Sequence, residues 1–240
     1  LAQAINKRVP SMYYVSPQVW ASREGSVKCI RKFISKMIVL FKFEQEFYSQ
    51  RGIQAVCAGH PLIDIVKPTL QRQELVDNFR LSEKKKTIAL LPGSRKQEIK
   101  LILPIMLKAA RLINKQIPDT QFIIAKSPQL DAQIYQDECK RSDLDIKIVD
   151  GKAYDCLKIA EASLVCSGTA TLEAAIMQKP FVIVYKMNLL NYLLYRPQVK
   201  IPHIGIVNIV AGRKIVPEFS QSNARPKMIA NAIVGLLQNP

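Results

Sequence analysis

Residues 163–186 read SLVCSGTATLEAAIMQKPFVIVYK and contain a strand, a turn, a helix and a second strand in succession. The apolar runs at 163–166 and 181–185 predict two buried strands, and residues 170–178 predict the helix between them. Two strands joined in this way through a helix are typical of a parallel sheet. The stretch therefore predicts an α/β fold and leaves one question, which is what the turn Ser167-Gly168-Thr169 holds.

The same alternation extends toward the N-terminus as far as residue 87. Further strands are predicted at 87–91, 121–125 and 146–149, and further helices at 97–116, 130–140 and 154–161. Strands that alternate with helices imply a parallel sheet covered on both faces. We therefore expect a Rossmann-like unit of about five strands.

The first 65 residues contain too few elements to close a domain. Strands are predicted at 12–16 and 37–41, and helices at 27–37 and 44–51. Pro68 interrupts a segment near residues 64–69 that is suited to a linker. We expect residues 1–66 to be the C-terminal portion of one incomplete Rossmann-like domain, and residues 67–240 to be a second, nearly complete one.

Composition narrows the range of possible functions. The 240 residues are 48% apolar, which allows a substantial core, and no apolar run approaches the ~18 residues that span a bilayer. The net charge of +16 favours anionic partners, but no aromatic interleaving or known module points to nucleic acid. The five cysteines contain no C-x-x-C pair, so neither a disulfide framework nor a metal site is expected. We expect the protein to reside in a reducing cytoplasm.

The turn Ser167-Gly168-Thr169 suits a phosphate. A helix N-terminus exposes unpaired N–H groups, the glycine allows close approach, and the two hydroxyls add donors. Glu173 lies one turn further and is placed to accept hydrogen bonds from a ribose diol. The alternative is an ordinary helix cap with a carboxylate that complements the helix dipole.

A second such turn follows the strand at 87–91, in the sequence LLPGSRKQEI. Gly93 frees the turn, Ser94 and Gln97 have the spacing of a capping box, and Arg95 offers a guanidinium for phosphate. Neither a P-loop nor a G-x-G-x-x-G motif is present, which disfavours NAD. Because the carboxyl ends of parallel strands share one edge, the two turns are expected to lie close together.

Other polar residues leave open whether they bind a ligand or support structure. His60 in AGHPLID either supports structure or, with Asp64 nearby, lies in a ligand cleft, whereas His203 is expected to be structural. Asn208 and Gln221 either contact a ligand or cap a loop. Residues 185–202 are apolar, aromatic and basic together, which suits either a membrane surface or a buried helix with basic ends.

Taken together and in order, these motifs resemble the lipid-A-disaccharide synthases. The shared landmarks are YYVSPQVW, FEQEFY, GHPL, LLPGSRKQEI, LPIM, SGTATLEAA, KPFVIVYK, NIVAG and VPEFSQ. The resemblance implies an inverting glycosyltransferase of the glycosyltransferase B type. Such an enzyme condenses UDP-2,3-diacylglucosamine with 2,3-diacylglucosamine 1-phosphate into the lipid A disaccharide and UDP, without a cofactor. It would act peripherally on the cytoplasmic face of the inner membrane of a Gram-negative bacterium, against an anionic membrane surface.

The resemblance also implies roles for individual residues. The nucleotide site would comprise Gly93, Ser94, Arg95, Ser167, Gly168, Thr169, Glu173, Asn208 and Gln221, and the acceptor side would comprise Ser16, Gln18 and His60. The family has over a hundred residues before YYVSPQVW, including the expected general base, and its chain continues beyond Pro240. We therefore expect a fragment that is inactive alone, with His60 and Asp64 as poor substitutes for the base. A homodimer is left open.

Two alternatives remain at the level of sequence. One is another UDP-sugar enzyme of the same fold, such as a 2-epimerase or a lipid-linked sugar transferase. The other is a non-catalytic module that binds a nucleotide sugar or a membrane.

Overall fold

The computed structural model describes residues 9–22, 24–199 and 201–238, and the chain divides into two compact units. The first unit comprises Leu1–Ile63 and Leu189–Pro202, and the second comprises Asp64–Asn188 and His203–Pro240. The division expected from sequence keeps residues 67–240 together, whereas here the short segment 189–202 is grouped with the first unit.

The first unit contains a three-stranded parallel sheet in the order β1-β2-β3. Its elements are β1 (Met12–Tyr14), α1 (Val19–Ser22), α2 (Val27–Phe33), β2 (Lys36–Val39), α3 (Lys42–Ser49) and β3 (Ala55–Cys57). The helix predicted over 27–37 ends at Phe33 because Met37 and Val39 are drawn into the core as alternate residues of β2. Tyr48 of α3 is fully buried against them.

The second unit contains six parallel strands, one more than predicted. They are β4 (Lys86–Leu91), β5 (Thr120–Lys126), β6 (Ile146–Asp150), β7 (Ala162–Cys166), β8 (Phe181–Tyr185) and β9 (Glu218–Ser220). The remaining helices are α4 (Leu62–Ile65), α5 (Arg72–Asn78), α6 (Lys96–Gln116), α7 (Ala132–Cys139), α8 (Ala153–Ile159), α9 (Ala170–Ile176), α10 (Leu189–Tyr195), α11 (Ile206–Ala211) and α12 (Pro226–Gln238). Helix α10 lies in the first unit.

Helices cover both faces of the six-stranded sheet. Ile88 and Leu90 of β4 face the core beneath α6 and α12, whereas Ala89 and Leu91 face the core beneath α5 and α8. All four side chains are at most 5% exposed, so the central strand is buried on both sides. Complete burial of a leucine or isoleucine contributes about 1.5–3 kcal/mol, which favours the unbroken apolar run of β4 over alternation.

The strand order is β6-β5-β4-β7-β8-β9, which in chain order is 3-2-1-4-5-6. The chain therefore starts at the middle of the sheet, builds outward to β6, and returns to β7 beside β4. This order is that of a doubly wound Rossmann sheet, whose ligands bind at the carboxyl edge where the direction of winding reverses. In this unit the reversal lies between β4 and β7.

Candidate functional site

The two turns singled out by sequence lie side by side. Leu91 of β4 pairs with Val165 of the parallel neighbour β7. Gly93-Ser94-Arg95 follows the first of these strands, and Ser167-Gly168-Thr169 follows the second. Both turns therefore begin at the point where the winding of the sheet reverses.

The first turn is already occupied by one of the protein's own carboxylates. The backbone N–H groups of Ser94 and Arg95 donate to Oε2 of Glu98 over 3.0 and 3.2 Å. The Arg95 guanidinium donates to Oε1 of the same residue over 2.9 Å. The capping box predicted between Ser94 and Gln97 is therefore wrong, because it is Glu98, three residues after Arg95, that reaches back to the start of α6.

This contact also explains why residue 93 is glycine. Gly93 has φ +114°, and a methyl group there would lie 2.9 Å from Cβ of Glu98. The amides that the sequence assigns to a ligand are engaged, while the Arg95 side chain remains 82% exposed. From this turn, the guanidinium is the group best placed to meet an anion.

The second turn has open donors. The backbone N–H groups of Gly168, Thr169 and Ala170 find no hydrogen-bond partner within the described ranges. Gly168 has φ +152°, and nothing lies within 4 Å of where its Cβ would be. Its carbonyl accepts from the backbone and the hydroxyl of Thr171, over 3.2 and 2.8 Å, which holds the turn in place. An anion at this turn would meet backbone donors and no side chain in the way.

Ser167 has a structural task. Its hydroxyl donates to the carbonyl of Ile204 over 2.8 Å, and so is not free to donate to a phosphate. The N–H groups of Ile204 and Gly205 in turn donate to the carboxylate of Glu218, over 3.1 and 3.0 Å. The start of α11 is thus neutralised internally, as is the start of α6, and the turn at Gly168 is held beside it.

Asn208 is buried and fully hydrogen-bonded. Its Nδ2 donates to the carbonyl of Val216 and to Glu218, and its Oδ1 accepts from the backbone N–H groups of Ile215 and Val216, all within 2.9 Å. An asparagine side chain has two donor hydrogens and two acceptor lone pairs, so its capacity is filled. The role that the structure gives Asn208 is to hold the 212–217 loop, and not to contact a ligand directly as expected.

Gln221 has a donor without a partner. It follows β9, whose Ser220 pairs with Tyr185 of β8, so it lies at the same edge as the two turns. Its backbone has φ +50°, which is uncommon for a residue with a side chain. Its Nε2 is buried and has no hydrogen-bond partner among the described residues. A buried amide in this condition calls for a partner from outside the chain, either water or a ligand.

Glu173 is a half-buried carboxylate in the first turn of α9. Burial raises its pKa above the usual value for glutamate, and a hydrogen bond with Tyr154 partly offsets that rise. The pKa of the Tyr154 hydroxyl is itself raised, first by burial and then by Glu173. Perturbed carboxylates concentrate at functional sites, which favours a ligand role for Glu173 over that of a simple helix cap.

In the first unit, a buried carboxylate organises the ends of β1 and β2. Glu44 is 4% exposed and accepts from the Ser16 hydroxyl (2.9 Å) and from Trp20 Nε1 (3.1 Å). It also accepts from the backbone N–H groups of Leu40 and Phe41, over 3.1 and 3.2 Å. Four donors satisfy both oxygens, so Glu44 acts as a scaffold for Ser16 rather than as a proton acceptor.

The weak acid–base candidates have different surroundings. His60 is half-buried; its Nδ1 accepts from the Leu62 N–H over 3.2 Å, and its ring lies 5.4 Å from that of Phe41. Burial lowers the pKa of His60, with a smaller opposing effect from Glu44. Asp64 and Gln18 are exposed.

Sequence reasoning missed the three carboxylates that fix these turns, namely Glu44, Glu98 and Glu218. All three occur in motifs that were singled out: FEQEFY, LLPGSRKQEI and VPEFSQ. Glu44 and Glu98 each lie in the first turn of a helix that follows a strand, and this position is the signal available in sequence. In the described part of the chain, no group of three or more His, Cys, Asp or Glu residues is placed to hold a metal.

The sequence profile of the lipid-A-disaccharide synthetase family matches residues 1–240. The lipid-A-disaccharide synthase of Syntrophus aciditrophicus is 41% identical over 242 residues, covering 100% of this chain and 63% of the relative. That of Coxiella burnetii is 38% identical over 237 residues, covering 99% and 62%. The chain thus spans a little over 60% of the length of these relatives.

Solved structures share the fold at low identity. Anabaena Alr3699/HepE, in complex with UDP and glucose, superposes with a TM-score of 0.57 at 14% identity, covering 99% of this chain and 65% of that one. The UDP-GlcNAc 2-epimerase of Neisseria meningitidis, bound to UDP-GlcNAc, gives 0.55 at 13% identity, covering 99% and 72%. The architecture is that of glycosyltransferase B enzymes and UDP-sugar epimerases. With the profile match over its whole length and relatives at about 40% identity, the chain belongs to the lipid-A-disaccharide synthetase family.

Proposed function

We propose that this chain is part of an enzyme that condenses UDP-2,3-diacylglucosamine with 2,3-diacylglucosamine 1-phosphate to give the lipid A disaccharide and UDP. Membership of the family supports the reaction class, and the names of the relatives support the product. The second unit would bind the donor, and the first would contribute to the acceptor side. An epimerase is less well supported, because the epimerase likeness is one of fold at 13% identity.

The observation that carries the proposal is the open turn beside an exposed guanidinium. Three N–H groups at Gly168–Ala170 lack partners in the described chain, next to a turn that presents Arg95. In a glycosyl transfer from UDP, negative charge builds up on the departing diphosphate. Backbone donors and a guanidinium that are already in position would stabilise that charge in the transition state without reorganisation.

The other nucleotide residues divide by role. Glu173 would accept hydrogen bonds from the ribose hydroxyls, and Gln221 would donate its unpaired amide to the nucleotide or its sugar. Ser94 and Gly93 would act by positioning Arg95 and Glu98. Asn208 would act indirectly, since its polar atoms are already used.

On the acceptor side, Ser16, Gln18 and His60 would contribute contacts. A base must take the proton from the attacking hydroxyl in an inverting transfer. His60 and the exposed Asp64 remain weak candidates, and we assign the base to the part of the relatives' length that this chain does not span. On that assignment, the 240-residue chain binds UDP but forms no disaccharide.

Both proposed substrates carry acyl chains, so the site must meet a lipid surface. We place the enzyme peripherally on the cytoplasmic face of the inner membrane, with its charge of +16 attracted to anionic lipid. None of the helices in the described ranges has the length and apolar character needed to cross a bilayer. The homodimer stays a prediction, which the molecular mass of the protein in solution tests.

Calorimetric titration of the 240-residue chain with UDP tests the nucleotide site. We expect Arg95→Ala and Glu173→Gln each to weaken binding by about 1–3 kcal/mol, because each removes a charged hydrogen-bonding partner. Arg141→Ala is the matched control: Arg141 is also exposed and pairs with a glutamate three residues away, but it lies beyond the far end of α7. Unchanged affinity in both site variants would refute the assignment.

The reaction itself is tested on a full-length relative or parent. Incubation with UDP-diacylglucosamine and the acceptor phosphate should release UDP and form disaccharide only when both are present. Epimerised donor without acceptor consumption would favour the epimerase, and neither product would favour a binding module.

A further inference from the structure

Helix α10 presents a row of exposed leucine side chains. Leu189, Leu190, Leu193 and Leu194 are between 59% and 69% exposed, and residues 189–194 include no buried side chain. Leu189 and Leu193 are one turn apart, as are Leu190 and Leu194, so the four leucines form one stripe. Soluble surfaces rarely leave four neighbouring leucines in water, and such patches mark sites of interaction.

The charge of the segment that carries this stripe indicates the kind of partner. Residues 189–202, which the first unit contributes here, include no acidic residue in sequence and two basic ones, Arg196 and Lys200. Arg196 follows the helix directly, and its guanidinium lies 5.6 Å from the ring centre of Tyr192. An apolar stripe with basic and aromatic residues beside it matches the interface of an anionic bilayer, where leucines enter the acyl boundary and cations meet the phosphates.

We propose that α10 and the turn that follows it, residues 189–199, dock on an anionic lipid bilayer. Val199, which follows the helix within this segment, is also exposed, at 45%. The inference rests on the proposal that the enzyme works at a membrane surface and names the segment that touches it. Self-association through the same stripe is disfavoured, because two copies facing each other would bring segments of like positive charge together.

Vesicle flotation of the 240-residue chain tests the proposal. We expect binding to vesicles of phosphatidylglycerol and phosphatidylethanolamine, and little to phosphatidylcholine alone. Leu190→Ser with Leu194→Ser should lower the partition coefficient about tenfold or more, because the lost apolar side chains no longer enter the acyl boundary. The matched control is Ile63→Ser with Ile65→Ser, two side chains of similar exposure (64% and 59%) outside the segment, which should bind normally.

The contribution of positive charge to vesicle binding can be tested separately from that of the leucines. Arg196→Gln should weaken binding to the anionic vesicles and reduce its sensitivity to salt, since the Debye length shrinks to about 3 Å at 1 M. UDP affinity should be unchanged in every one of these variants, which shows that they fold and separates this test from that of the nucleotide site. A second measurement does not depend on the folding of the serine variants. Brominated lipid should quench the tryptophan fluorescence of Leu193→Trp but not that of Ile63→Trp.

Three outcomes would overturn the inference. The unmodified chain fails to bind anionic vesicles, or the leucine variant binds as well as the unmodified chain, or the indole at position 193 stays in water. A dimer that dissociates in the leucine variant while vesicle binding persists would assign the stripe to a second copy of the chain instead. Normal UDP binding alongside any of these results would leave the nucleotide site standing.

Discussion

At the scale of the residue, two carboxylates decide which turns remain open. Glu98 and Glu218 each accept backbone hydrogen bonds at the start of a helix, α6 and α11 respectively. A carboxylate held there provides the negative charge that the helix dipole favours, so an external anion gains little at the same place. The turn at Gly168 has no such internal partner within the described ranges, and that difference is the reason for which we propose it as the nucleotide site.

Glu173 gives a prediction about pH. Its pKa is raised by burial, so nucleotide binding that depends on the ionised carboxylate should weaken as the pH falls through that raised value. Tyr154→Phe removes a hydrogen bond that lowers the pKa, so it should move the midpoint of this loss to higher pH. Titrations of UDP across mildly acidic pH measure both effects. A 2′,3′-dideoxy analogue should show neither, and equal pH dependence for both ligands would contradict the ribose contact.

The raised pKa of Glu173 makes the stability of the fold depend on pH in the opposite direction to nucleotide binding. The folded-state pKa of Glu173 lies above the value in the unfolded chain, so this group favours the folded state most below the unfolded value. Its contribution is lost as the pH rises through the folded pKa. Stability and nucleotide affinity therefore respond in opposite directions to pH at this one residue.

Substitution of Asn208 distinguishes a role in holding the 212–217 loop from a role in contacting UDP. Asn208→Ala leaves the N–H groups of Ile215 and Val216 and the carbonyl of Val216 without their partner. We expect a loss of about 2–4 kcal/mol in the free energy of unfolding, measured by urea denaturation. A variant of unchanged stability that no longer binds UDP would instead restore Asn208 as a ligand contact.

At the scale of the element, the linker into the second unit is fixed by α8. Asp155 is 1% exposed, and its two oxygens accept from the N–H and the hydroxyl of Thr69, each over 2.6 Å. This carboxylate ties the segment before α5 to the first turn of a helix 86 residues later in the chain. The entry of the chain into the Rossmann-like sheet is thereby set by one side chain.

Removal of that carboxylate should be costly. Asp155→Ala leaves the Thr69 N–H and hydroxyl unpaired, and we expect a loss of about 2–4 kcal/mol on urea unfolding. Thr69→Val retains the hydrogen bond from the backbone N–H and removes the one from the hydroxyl, so we expect about half of that loss in the free energy of unfolding. Equal midpoints for the two variants and the unmodified chain would show that the linker is not held in this way.

Elements of five or more residues with continuous or periodic apolar patterns were predictable. Burial of β4 on both faces requires a continuous apolar run, and burial of one face of α6 requires apolar residues at helical spacing. Strand β9 has three residues, too few for a period to show. Helix α12 has 13 residues, and the buried set Ile229, Ile233, Val234 and Leu237 gives it a readable pattern that the predictions omitted.

For the candidate site, the positions of the two turns were predictable from sequence, whereas the hydrogen bonds within them were not. Gly93, Arg95 and Gly168 stand out from sequence because turns after strands need glycine and anions need donors. Which carboxylate satisfies which amide depends on side-chain geometry that spacing does not fix, so Glu98 was missed as the occupant of the first turn. For the same reason Ser167 and Asn208 were expected to meet the ligand, although their polar groups are used within the chain.

At the scale of the whole molecule, the two units differ in size. The second has six strands with a core on each face, whereas the first has three strands over a small core. The chain covers 60–63% of the length of several curated relatives. This difference supports the expectation that nucleotide binding persists in the chain while the complete transfer reaction requires more of the protein.

The most direct test is to follow backbone amide resonances of the isotopically labelled chain by NMR during titration with UDP. We predict that the largest shifts occur at Gly168, Thr169 and Ala170, whose N–H groups are open. The Ser94 and Arg95 amides, already bonded to Glu98, should shift less. Saturating UDP that leaves the Gly168–Ala170 amides unmoved, or that shifts residues away from this edge of the sheet instead, would contradict the account.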